Sequence, residues 1–359
     1  MDMLPMPQPP QISPYHLLNR INIMKKVLRE IYNNKAKTIP ILSFPSTQLL
    51  GVTVKELIGS PEMQVKGMKA IADRCNIGAS LNMMDLSIEA ETFGAEIAFS
   101  ENEVPTVRKV IIDDILDAET IIVPSAKSGR ASICIEGIRQ AKKEISNIPV
   151  FCGVIGPYSL AGRLFDVTEL MIECYSSPDD VKILLSKATE FIIAYVKELK
   201  DAGADGVIMA EPAAGLLSPD LNAEFSIPFV KEIFAAVRDD DFVICYHNCG
   251  NAVKDMATEI ATVGADIYHF GNAIQLKDVI PLMPKDSLVM GNIDPVLFKN
   301  GTPESIRENV EQVFAECSQY DNFMLSSGCD IPAESKWENI DEYFRCVNNL
   351  YKKGILPCF

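Results

Sequence analysis

Apolar positions along the chain switch repeatedly between two periods. Over 15–33, Leu17, Leu18, Ile21, Ile23, Met24, Val27, Leu28 and Ile31 recur at helical spacing, predicting an N-terminal helix behind a Pro-rich arm at 1–14. A short apolar run at 40–44, closed by Pro45, predicts a first buried strand. Helix follows at 46–59, and Ser60-Pro61-Glu62 starts another. A second strand is expected at 79–85. Residues 86–130 read as an excursion between early strands, with its own short β element at 120–123. Helix resumes at 131–146, strand at 149–155, and 156–163 reads as an exit loop. Beyond that point strands at 205–210, 242–246, 266–270, 287–290 and from 323 alternate with helices at 178–202, 222–237, 253–263, 303–318 and 340–352.

Strand and helix alternating through some eight strands predicts an α/β fold, a (β/α)8 TIM barrel with an N-terminal helical extension over 1–35. The expected organisation is one domain over 1–359, with an open doubly wound sheet as the alternative. Barrel active sites are built at the C-terminal ends of the strands. The informative polar residues fall just past strands: Glu211, His247, Cys249, His269, Asn292, Asp294 and Cys329.

One stretch organises the candidate chemistry. The apolar run 242–246 ends in His247-Asn248-Cys249-Gly250. An imidazole and a thiol two residues apart at a strand end can face one ion, although His-x-Cys alone is a weak signal. Cys329, after a second apolar strand, supplies a third nitrogen or sulfur donor. Three such donors with an open fourth position describe a catalytic zinc site better than a structural one. The bland reading is that His247 and Cys249 are packed core residues, since free Cys is commonly buried. Cys245, two residues before His247, shares its side of the strand and reads as packing deeper in the barrel.

The chain has 359 residues, 48% of them hydrophobic, enough for a large core, and a net charge of −16. That charge argues against nucleic-acid and anionic-membrane partners, because no basic patch is available to neutralise phosphates. The ten cysteines lie mostly inside apolar segments and form no Cys-x-x-Cys motif. A reducing cytoplasm is the expected compartment. The N-terminus lacks the pattern of a signal peptide, and no apolar run is long enough to span a bilayer.

Gly156-Pro157-Tyr158-Ser159-Leu160-Ala161 and Gly291-Asn292-Ile293-Asp294-Pro295 resemble two motifs of the uroporphyrinogen decarboxylase superfamily, with similarity extending over about 17–355. Within it, His247-x-Cys249 with Cys329 resembles the zinc motif of the methylcobamide:coenzyme M methyltransferase branch, as do Glu91-Thr92-Phe93-Gly94-Ala95-Glu96 and Glu211-Pro212. The decarboxylases carry an Arg-rich motif after the first strand. Here that place reads Ser43-Phe44-Pro45-Ser46-Thr47-Gln48, without arginine.

The resemblance implies a zinc-dependent methyltransferase. It would move a methyl group from a methylcobamide (corrinoid), carried by a partner protein, to a small thiol such as coenzyme M. Homocysteine and tetrahydrofolate are the other acceptors. It implies zinc at His247, Cys249 and Cys329, cofactor contacts at Tyr158, Asn292 and Met83, and catalytic roles for Glu211, His269 and Asp294. Partners would be the methylated corrinoid protein, the methyl acceptor and, in a homodimer, a second copy of the chain.

In one respect the chain departs from that branch. Members often place a carboxylate ligand after the strand following His-x-Cys, where this chain has Tyr268-His269-Phe270. The fourth ligand stays open among His269, Glu211, water and the substrate thiolate. Structural readings stand beside the functional ones. Glu211 can sit at a helix N-terminus, Asn292 and Asp294 can hold a turn, Met83 and Met84 can be core, and His269 can orient a neighbour. Two rival functions are a lyase acting on a carboxylated substrate, for which Arg163 is the main cation near a strand end, and a non-catalytic barrel that docks a corrinoid protein.

Overall fold

The computed structural model describes residues 25–352. The expected arm at 1–14 and the first part of the expected N-terminal helix lie outside the described residues. The described chain forms a curled parallel sheet with helices outside it. Its strands are β1 (Ser80–Leu81), β4 (Val150–Ile155), β5 (Gly206–Ala210), β6 (Val243–Asn248), β7 (Ile267–Phe270), β8 (Leu288–Ile293) and β9 (Phe323–Ser327). They lie side by side in that order, as parallel βαβ units dictate. A small antiparallel hairpin, β2 (Glu96–Ala98) with β3 (Thr106–Lys109), stands apart from the sheet.

The expected strand at 40–44 is buried but forms no ladder. Pro40 has no N–H to contribute, so regular pairing fails where the segment starts. Isolated main-chain bonds and side chains close the ring instead. Thr38 forms a lone parallel bridge with Ile77, its carbonyl accepting the Gly78 N–H at 2.8 Å, and its hydroxyl donates to the Leu325 carbonyl. Ser326 Oγ donates to the Ile39 carbonyl at 2.8 Å, and the Ile41 N–H donates to Ser327 Oγ at 3.0 Å. The eighth position of the barrel is therefore a segment held by hydroxyls on the β9 side and by isolated main-chain bonds from Gly78 and Ile331. β1 is shorter than the expected 79–85 for a related reason: Asn82 Oδ1 takes the Gly153 N–H at 2.8 Å, in place of a backbone carbonyl.

Strand alternation separates two cores. One fills the lumen, with Phe151, Ile208, Val243, Cys245, Ile267, Leu288, Met290 and Met324. The other lies between sheet and helices and takes the intervening residues, including Val207, Ile244, Tyr246 and Tyr268. Helix Lys26–Asn33 adds Leu28, Ile31 and Tyr32 to the lumen core. Lys25 fixes the entry to that helix at the starts of β6 and β7, donating to the Phe242 carbonyl at 2.6 Å and to Asp266 at 2.8 Å. Helix Lys26–Asn33 thus plugs the end of the barrel opposite the strands' C-terminal ends.

Three further expectations are corrected. Residues 120–123 make no β element. A 3-10 helix, Ile115–Thr120, ends there, and the β-branched run that follows has no neighbouring strand; the excursion's β structure is the hairpin. Residues 156–163 are not a loop but most of helix Pro157–Phe165, with Pro157 in the first turn. The expected helix at 222–237 is two, Pro219–Phe225 and Ile227–Val237, broken where Pro228 withholds an N–H. No helix among the described residues is long and apolar enough to cross a membrane.

Candidate metal centre

His247 lies on the lumen side of β6, one period beyond Cys245, and is 2% exposed. Its Nδ1 lies 3.2 Å from the His269 carbonyl. A carbonyl only accepts, so Nδ1 carries the proton and Nε2 keeps its lone pair. That nitrogen is 3.6 Å from Cys329 Sγ. With Cys249 Sγ, the three ligand atoms all lie within 4.8 Å of one another. β7 and β8 separate β6 from β9, so in a flat sheet the two strand ends would stand roughly 14 Å apart. The curl of the barrel brings them together. Gly271 permits the fit beside Cys249, since a Cβ there would sit 2.6 Å from the Cys249 Cα and Cβ.

The two thiols differ. The hydrogen bond that Cys329 donates pulls Cys249 down to about 7, against the effect of burial. The same bond, together with burial, pushes Cys329 up to about 12. A bare imidazole nitrogen and two thiols, one of them easily ionised, form a donor set that suits zinc, and three donors leave a fourth tetrahedral position free. The site opens onto a cavity of about 570 Å³, whose walls include Cys249, Gly250, Pro212, Ala213, Leu216 and Arg163. The hairpin closes one side of it with Thr106 and Val107.

The other sequence candidates occupy different places. His269 is fully buried beside the cluster rather than in it. Its ring centroid is 4.6 Å from that of His247, and its Nε2–H donates to the Ser327 carbonyl at 2.6 Å. Burial, reinforced by His247, holds its pKa well below the usual range, so the ring stays neutral. Its main-chain carbonyl, not its ring, orients His247. Met83 belongs to the core between sheet and helices, so the structure corrects its assignment to a cofactor surface. Tyr158 is corrected likewise: its ring is fully buried and its hydroxyl lies 3.8 Å from Cys174 Sγ. Asn292 donates to the carbonyls of Gly271 at 3.0 Å and Ile274 at 2.9 Å, so it holds the loop after β7 instead of a cofactor. Asp294 caps helix Pro295–Asn300 by accepting the Val296 N–H at 2.9 Å, which gives it a structural task in place of a catalytic one.

Glu211 is fully buried at the end of β5, where it accepts the N–H groups of Tyr158 at 3.1 Å and Ser159 at 2.6 Å. These are two of the unpaired amides that open helix Pro157–Phe165, so the carboxylate serves that helix rather than the reacting centre. Burial pushes it up to about 7, with the Ser159 and Tyr158 hydrogen bonds opposing. Glu89, also fully buried, is pushed up to about 7 in the same way. A carboxyl with a raised pKa binds its proton more tightly in the folded state. Stability should therefore fall as pH rises from about 4.5 to about 7 and level off above, by up to ~3 kcal/mol for each carboxyl. Urea unfolding across that window checks this, with Glu211→Gln expected to flatten the slope.

Two residues near the cluster were given no part in the methyl-transfer reading of the sequence. Asp330, next to Cys329, has a buried Oδ1 without a partner among the described residues. Arg163 lines the cavity from helix Pro157–Phe165. Both carry a sequence signal in lying just past a strand end.

The family model for uroporphyrinogen decarboxylase (URO-D) matches residues 25–350. The chain belongs to the uroporphyrinogen decarboxylase family. Within the family, the chain is 26% identical over 270 residues to the methylcobamide:CoM methyltransferase MtbA of Methanosarcina acetivorans, covering 74% of this chain and 78% of that protein. It is 25% identical over 307 residues to the uroporphyrinogen decarboxylase of Vesicomyosocius okutanii, covering 83% and 87%. Both relatives are named as enzymes. Among solved structures, a methyltransferase from Methanosarcina mazei matches with a TM-score of 0.80 at 22% identity, covering 91% of this chain and 99% of that one, which places the two on one fold.

Proposed function

We propose that this chain is a zinc-dependent methyltransferase that moves a methyl group from a methylated corrinoid protein to a small thiol. The observation that carries the reading is the convergence of His247 Nε2, Cys249 Sγ and Cys329 Sγ within 4.8 Å at the barrel mouth. Relatives named as methylcobamide:CoM methyltransferases support the donor and the kind of acceptor. Zinc held by these three residues would supply a Lewis acid that lets a thiol ionise at neutral pH.

The chain's own residues do the rest. The His269 carbonyl keeps His247 in the tautomer that presents Nε2. Cys249 faces the cavity, which offers an arriving sulfur apolar walls at Val107, Val110, Pro212, Ala213 and Leu216. In the overall exchange the sulfur lone pair forms the new carbon–sulfur bond. The electron pair of the broken carbon–cobalt bond stays on cobalt, and the thiol proton passes to solvent. A decarboxylase would need cations to grip carboxylates, and Ser43 to Gln48 offers none.

The test is to load the purified chain with zinc and add methylcobalamin with and without 2-mercaptoethanesulfonate. Thiol-dependent loss of the methylcobalamin spectrum, with about one zinc per chain, is the expected result. Methylcobalamin left intact with every thiol and folate acceptor tried would overturn the reading.

A further inference from the structure

Arginines elsewhere in the barrel wall meet carboxylates: Arg130 pairs with Asp85 and Glu91, Arg238 with Asp266, and Arg307 with Glu342. Arg163 is half-buried and makes no ion pair or side-chain hydrogen bond among the described residues. The carboxylates that act on it electrostatically, Glu89 and Asp85, make no ion pair or hydrogen bond with it. Asp85 is held by Arg130, and Glu89 accepts the Ile155 N–H at 3.0 Å with one oxygen, its other oxygen having no hydrogen-bond partner among the described residues. Asp166, on the same cavity wall, takes the N–H groups of Thr168 and Glu169.

Ser159, Gly162, Arg163 and Asp166 follow one another at helical spacing and turn one face of helix Pro157–Phe165 and its cap toward the cavity. Cys249 lines that same cavity. A guanidinium without a hydrogen-bonded partner and a metal-ligand thiol thus line one open cavity of about 570 Å³, in which Asp166, held by its own helix cap, is the other charged wall residue. A planar fork of N–H donors matches the paired oxygens of a carboxylate or sulfonate.

We propose that Arg163 anchors the anionic end of the methyl acceptor, which is a short thiol carrying one sulfonate or carboxylate. This rests on the methyltransferase reading and adds to it the residue that selects the acceptor by charge. The anion docks on the guanidinium and the sulfur reaches the three-ligand cluster across the cavity. A substrate with many carboxylates would find one counter-ion here, because Arg163 is the single cation among the residues that line the cavity.

The experiment compares zinc-loaded wild type, Arg163→Gln and Arg163→Lys with methylcobalamin as donor. The acceptors are 2-mercaptoethanesulfonate, 3-mercaptopropionate and the neutral 2-mercaptoethanol. The expected result for Arg163→Gln is a loss of about 10-fold to 100-fold in the preference for anionic over neutral thiol. That loss should fall on KM rather than kcat, with partial recovery in Arg163→Lys. The better of the two anionic thiols identifies the head group. Calorimetric titration of the same anionic thiols, without methyl donor, reads binding apart from turnover. Binding that depends on Arg163 while no methyl moves would uphold the anion site and remove the methyltransferase reading. Methyl transfer with equal use of neutral and anionic thiols, unaltered in both variants, would overturn the anion site alone.

Discussion

Replacing His247 with alanine is expected to strip the protein of zinc and, with it, of methyl transfer. The variant keeps two sulfur donors, and their arrangement depends on the third. Cys329 loses the Nε2 neighbour 3.6 Å away, and the His269 carbonyl loses the N–H it accepts. Removing groups that merely orient a ligand costs about 10–100-fold in metal affinity, so removing a ligand should cost at least about 100-fold. Zinc per chain after dialysis against a chelator, alongside thiol-dependent loss of methylcobalamin, measures both effects. Cys245→Ala is the control. It lies on the same face of β6 one period deeper, surrounded by the lumen core, and should retain its zinc. Zinc held equally well by His247→Ala would show that the three side chains are close without being a metal site.

Much of this site could be read before any coordinates, because it depends on strand period and residue type. His247 and Cys245 share a side because strands alternate. The convergence with Cys329 is a consequence of barrel closure, and an open sheet would have kept the same residues apart. What escaped the sequence reading depends on partners distant along the chain. Helix Pro157–Phe165 reads as a loop in the sequence because the carboxylate that satisfies its first amides belongs to Glu211, just past the next strand of the sheet. The segment at 40–44 carries the apolar pattern of a strand, but Pro40 shifts its pairing onto the hydroxyls of Thr38, Ser326 and Ser327. The family resemblance, not a contact pattern, puts Tyr158 and Met83 at a cofactor surface. Burial decides otherwise, and nothing in a single sequence states that the segment after β1 and the first turn of helix Pro157–Phe165 turn these side chains into the outer core. Arg163 is visible as a cation past a strand end, yet its lack of a partner is a tertiary fact.

Arg130→Ala is expected to cost about 3–5 kcal/mol of stability, the usual penalty for leaving a buried charge without its counter-ion. Arg130 contacts Asp85 and Glu91, and its Nη2 donates to Ser87 Oγ at 2.8 Å. Asp85 is 4% exposed, so its carboxylate cannot turn to water when the guanidinium is removed. Only the Ser87 N–H and hydroxyl, at 2.9 and 2.6 Å, would remain to it. The urea midpoint should fall accordingly, while Arg130→Met with Asp85→Asn should recover part of the loss by removing both charges. The same pair of variants bears on recognition, because Asp85 and Glu89 both act electrostatically on Arg163. With Arg130 gone, the Asp85 charge is no longer neutralised locally and competes for the Arg163 guanidinium. The KM for an anionic thiol should therefore rise in Arg130→Met and fall back when Asp85→Asn is added. Recovery of stability without recovery of KM would show that the buried charge network holds the barrel wall but does not tune the cation in the cavity.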